Sequence, residues 1–222
     1  MNQNDKRTIE ITGKGVLRLR PDTTRITLTL TGLEKEYGDT LTRSSADTDT
    51  LKETLRPFGF ARQDLKTLDF RVDPQHESYK ENGAYKERLI GYQFRHVLKV
   101  EFSSDRERLG KILYALTRCP VHPEFSLSYT VKDEEAAKNE LLAKAVEDAK
   151  AKAAVLTAAA GVTLGELLHI DYSRVEVDLE VRPMGRMMAM NACIDFESSC
   201  DLDIEPDDIE AEDAVTVLWE IV

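Results

Sequence analysis

Cysteine is scarce in this chain: three residues in 222, Cys119, Cys193 and Cys200. An odd, sparse set fits free thiols in a reducing compartment better than a disulfide framework. Long apolar runs are missing too. Nothing approaches the roughly 18 consecutive apolar residues of a membrane-spanning helix. The opening Met1-Asn2-Gln3-Asn4-Asp5-Lys6-Arg7 has no apolar run behind it, so no secretory signal is expected. Basic excess is lacking as well, with 30 Lys+Arg against 41 Asp+Glu and a net charge of −11. Without a basic face to displace counterions, nucleic acid is not an expected partner.

The charge that is present is unevenly placed. Residues 171–222 hold 15 acidic and 3 basic side chains, which leaves 26 acidic and 27 basic in the first 170 residues. A near-neutral body therefore carries a strongly acidic final quarter. The hydrophobic share of 41% is enough to bury a core in a globular protein.

Periodicity predicts the elements. Ile9 and Ile11, then Val16, Leu17 and Leu19, read as a strand interrupted by Gly13-Lys14-Gly15. After the turn residues Pro21-Asp22, Ile26-Thr27-Leu28-Thr29-Leu30-Thr31 alternates strictly as a half-buried strand. These two segments are expected to pair as a hairpin. A helix is expected from about Asp39 to Arg56, with Leu41, Ser45, Thr48, Leu51 and Leu55 on one face. Leu68, Phe70 and Val72 begin a strand, and Asn82-Gly83 marks a turn within a polar segment expected to fray. The return strand carries Ile90, Tyr92, Phe94, His96, Leu98, Val100 and Phe102 on one face. Ser104-Asp105-Arg106-Glu107 reads as a capping box, opening a helix that buries Leu109, Ile112, Leu113 and Leu116. Phe125 to Val131 alternates again. Asp133 then caps an alanine-rich helix that ends at Gly161. Strands over Leu167–Ile170 and Val215–Val222 bracket a long loop at about 173–213. The order ββ-α-ββ-α-β-α-β-loop-β predicts an α+β fold, a largely antiparallel sheet with helices packed on one face, in a single domain of residues 1–222.

Candidate chemistry is thin. Gly13-Lys14-Gly15 lacks the longer phosphate-loop pattern and opens no helix, so a glycine-permitted bend is the reading. His96, alone on an apolar strand face, reads as a hydrogen-bonded, partly buried side chain. His76, His122 and His169 show no metal-ligand spacing, and no catalytic residues, metal ligands or cofactor are expected. The acidic run Asp201–Asp213 lacks the central glycine of a calcium loop. One cluster stands out: Met184, Met187, Met188, Met190, Cys193 and Cys200 mark a candidate interaction loop. Soft sulfur could bind metal or respond to oxidants. An adaptable apolar patch for packing or self-association is the favoured reading.

Taken in order, these motifs resemble the SIMPL family, a domain of unknown function. Ile9-Glu10-Ile11-Thr12-Gly13-Lys14-Gly15 with Pro21-Asp22 is similar to its opening. Asp64-Leu65-Lys66-Thr67, Gly91-Tyr92, the Ala149–Ala153 segment running into Ala160-Gly161-Val162-Thr163-Leu164-Gly165, the Pro183–Met190 stretch and Ile204-Glu205-Pro206 follow in its order. At the last of these Pro206 is followed by Asp207-Asp208, where the family often has a glycine and one acid. The resemblance implies a bacterial protein with no defining catalytic set. Its relatives are commonly exported to the periplasm, some in connection with oxidative stress. Because no export signal is read here, a cytoplasmic location is expected. The expected function is a non-enzymatic scaffold that self-assembles as a homo-oligomer or binds a protein partner. The alternative is a metal- or redox-responsive binding protein using the Cys/Met-rich loop.

Overall fold

The structure is a computed structural model and describes residues 7–82, 84–172, 177–182 and 205–222. Among these residues there are eight strands and three helices. They are β1 (Thr8–Leu19), β2 (Thr23–Glu34), α1 (Tyr37–Leu55), β3 (Lys66–Glu81), β4 (Ala84–Ser103) and α2 (Arg106–Thr117). There follow β5 (Glu124–Thr130), α3 (Glu134–Ala160), β6 (Leu164–Asp171), β7 (Glu180–Val181) and β8 (Ile209–Ile221). The strands form antiparallel ladders, and the fold class is α+β. The chain divides into two compact units, one from Met1–Pro21, Thr130–Val181 and Asp207–Val222, the other centred on Asp22–Tyr129.

The first unit is a three-stranded sheet in the order β1-β8-β6, with α3 laid on one face. The expected β1–β2 hairpin does not form. β1 pairs instead with β8, from Thr8 opposite Glu220 to Leu19 opposite Ile209, while β2 pairs with β4. Alternation shows that a strand has a wet and a dry side. It does not show which strand lies beside it.

α3 meets the sheet along Ala137, Leu141, Ala145, Ala149, Ala153 and Thr157, every fourth residue. Two strand residues advance about 6.6 Å and four helix residues about 6 Å, so the two steps match. Gly13 and Gly15 supply the matching gaps. A Cβ at Gly13 would lie 2.0 Å from the Ala145 carbonyl oxygen, and one at Gly15 2.0 Å from that of Leu141. The glycine pair is a helix-packing surface, and the alanine row is its counterpart. Asp148 fastens the contact by accepting from the Lys14 backbone N–H at 2.7 Å and pairing with Lys152. The Asp133 side chain caps α3 by accepting from the Ala136 N–H, and Gly161 closes it at φ 71°. Leu156 lies off the alanine row and is exposed with Val155, both lining an open groove with Ile11 and Ala151.

The second unit orders its strands β3-β4-β2-β5, and α1 and α2 contribute to its core. That core gathers Ile26, Leu28, Phe94, Leu98, Val100, Leu51, Leu55, Ile112 and Leu116. Two local expectations need correction. The N-cap of α2 is Asp105, whose carboxylate accepts from the Arg108 N–H; Ser104 turns its hydroxyl to Thr24. The buried face of α1 starts at Thr40 and Ser44, and Leu41 and Ser45 are exposed. Thr40 can be buried because its hydroxyl donates to the Glu36 carbonyl, closing the turn below it.

Candidate functional site

The sulfur-rich loop residues Met184, Met187, Met188, Met190, Cys193 and Cys200 lie outside the described residues, as do residues 201–204 of the acidic run; the rest of that run leads into β8. Cys119 is buried in the second unit, 3.5 Å from the Thr54 hydroxyl. Among the described residues no group of three His, Cys, Asp or Glu side chains is arranged to hold a metal ion.

His96 stands at the floor of an open groove of about 370 Å³ between α1 and β3, lined by Leu41, Ser45, Asp49, Lys52, Thr67 and Phe70. Both ring nitrogens are engaged. Thr48 spends its hydroxyl proton on the Ser44 carbonyl at 2.7 Å, so at 3.1 Å its oxygen accepts from His96 Nδ1–H. Nε2 is then the acceptor, taking the Thr67 hydroxyl proton at 2.9 Å. Phe70 meets the ring edge-on at a centroid distance of 5.0 Å. Burial, and secondarily the Lys52 cation, push the His96 pKa below its usual value. With both nitrogens occupied, this histidine holds strand to helix; it has no free lone pair for base catalysis.

A second feature is legible in the sequence only at its turn, Asn82-Gly83. β2 accompanies β4 only as far as Glu34 opposite Tyr92. Beyond that point β3 and β4 continue as a two-stranded ribbon, paired from Gln75 opposite Gly91 to Glu81 opposite Ala84. At its root the register shifts between Gln75 and His76, and Gly91 takes φ 152° with the Glu34 carbonyl pressed against it. The shift takes Ile90 out of the buried row of β4 and leaves it exposed with Leu89. On the ribbon Arg88 pairs with Glu77 at 2.8 Å and lies over the Tyr79 ring, and Lys80 lies over Tyr85. Tyr85 is 80% exposed. The segment expected to fray is thus a formed arm, about 23 Å long at the usual strand rise. Among the described residues no third strand pairs with it.

These features define a two-unit α+β protein with helix-covered antiparallel sheets and an extended hairpin arm. The chain belongs to the SIMPL family, described as a protein of unknown function (DUF541), which it matches over residues 9–219. It is also similar to the 26 kDa periplasmic immunogenic proteins of Brucella melitensis biotype 1 and Brucella abortus strain S19. Each is 27% identical over 163 residues, 73% of this chain and 65% of the relative. The chain therefore spans a little under two thirds of the length of these relatives. Their names correct the cytoplasmic expectation, because both are designated periplasmic. An export leader is not part of a fold, and folded residues carry no record of compartment.

Proposed function

We propose that this protein is a non-enzymatic scaffold of the bacterial envelope that self-assembles through exposed sheet edges. The observation that supports this reading is the β3–β4 arm. A two-stranded ribbon is at best marginally stable in water by itself, and each of its outer edges offers unpaired N–H and C=O groups. Such an arm gains most when another strand lies along it, the principle of strand addition. Its side chains fit that use: equal numbers of acidic and basic residues over 76–90, with Tyr79, Tyr85, Leu89 and Ile90 interspersed. The names of the Brucella relatives support the periplasm as the place where this happens.

The test compares the full chain with a variant in which residues 77–88 are replaced by Asn-Gly, which keeps His76 opposite Leu89. Sedimentation across a wide concentration range is the readout. The full chain is expected to exceed its 25.1 kDa monomer mass, and the shortened chain, melting at a similar temperature, to lose mass. A full chain that stays monomeric throughout would overturn the reading.

A further inference from the structure

Among the described residues β6 is an edge strand of the first unit, and half of its exposed side chains are apolar. Leu167, Leu168, Ile170 and the adjoining Tyr172 are each 38% to 49% exposed. Natural edges are usually blunted by charge, proline or a bulge. β6 has bulges at its start, but from His169 to Asp171 its register is regular against Leu218, Val217 and Thr216. This stretch is free of proline, and among the described residues no strand pairs with its outer side.

We infer that this edge is a symmetric docking surface for a second copy of the same chain, with Ile170 on the two-fold axis. In an antiparallel pair related by a two-fold through the sheet, opposed residues face the same side, so their separation must be even. Centring on Ile170 satisfies this: Ile170 meets its own copy, and His169 meets Asp171 of the second copy, twice by symmetry. Neither His169 nor Asp171 has a side-chain partner among the described residues, and each finds one across the axis. Moving the centre by one residue to Asp171 sets two carboxylates face to face, which is unfavourable. Moving it to His169 places Asp171 opposite Leu167. The charge pattern therefore selects one register. The two sheets would join as a continuous six-stranded sheet, β1-β8-β6 against its copy.

This rests on the self-assembly proposed above and names a surface for it separate from the arm. His169→Asp places like charges opposite each other twice and is expected to weaken association about tenfold. The exchange His169→Asp with Asp171→His restores the pairing and the affinity. Ile170→Cys in a Cys193→Ser, Cys200→Ser background is expected to form an interchain disulfide on mild oxidation, because residues opposed across an antiparallel pair lie within disulfide reach. Association unchanged by His169→Asp, no recovery in the double exchange, or no cross-link at position 170 would each overturn the inference. If association instead depends only on the arm, the assembly reading stands and this interface does not. A monomeric full chain removes both.

Discussion

At the scale of single residues, His96 is the side chain whose chemistry the surroundings have settled. Its neutral form is matched at both nitrogens, by Thr48 as acceptor and Thr67 as donor. Protonation would put a second N–H where Thr67 now donates and add a cation near Lys52, which already lowers its pKa. Folding therefore prefers the neutral ring. The native pKa lies below the usual 6.5 while the unfolded chain titrates near that value. The contribution is accordingly complete above about pH 6.5 and is lost as pH falls toward the native value. Carboxylates such as Glu101 titrate lower: burial raises its pKa, but the hydrogen bonds and charges of Lys99 and Arg25 together outweigh it. Urea midpoints measured between pH 7.5 and 5.0 should fall with pH in the parent chain. In His96→Gln the fall over that window should flatten, whatever its stability at pH 7.5. An undiminished slope in the variant would assign the titration to another group.

At the scale of elements, the decisive fit is between β1 and α3. A Cβ at Gly13 would also come within 2.5 Å of the Ala149 backbone nitrogen, so the obstruction is helix backbone and cannot rotate away. Gly13→Ala and Gly15→Ala should each destabilise the first unit by about 1–3 kcal/mol or more, the usual cost of forcing atoms into a filled core. Gly38→Ala, with open space around the added carbon, serves as the control in the same denaturant titration. Equal midpoints for Gly13→Ala and Gly38→Ala would mean that the helix is free to move off. This fit also marks the limit of what the sequence discloses. The glycine pair and the alanine helix are both legible as local features, and α2 is legible down to its buried leucines. That the two features answer each other is not, because they meet across some 130 residues of chain. The turn of the arm is legible at Asn82-Gly83, but the pairing of its polar segment is not, for a related reason. Its residues are polar on both faces, and alternation reports a strand only when one face is dry. Thr48, Leu51 and Leu55 are buried in α1 as the spacing predicts, but at its start hydrogen bonding to the preceding turn lets Thr40 sit inside, where hydrophobicity alone would place Leu41.

At the scale of the whole molecule, the two units differ in how the chain builds them. The core of the second unit, from Ile26 to Cys119, lies within one continuous stretch, and its strands and helices are joined by short connections. The first unit joins the two ends of the chain, since Thr8 pairs with Glu220. Closing so long a loop costs more entropy than any contact within the second unit, although the cost grows only slowly with length. A fragment of residues 22–129 should therefore fold alone, with a cooperative thermal transition and mixed α/β circular dichroism. A chain truncated before Ile209 should behave differently. It loses the central strand of the first sheet, so β1 and β6 have no strand between them and α3 loses Val215, Val217 and Trp219, against which it packs. Its circular dichroism should show only the fragment's transition, with the signal of the first unit missing. If residues 22–129 proved unfolded while the full chain melted in one step, the buried cluster of the second unit would be insufficient by itself. The continuous stretch would then depend on the strand pairing made by the chain ends.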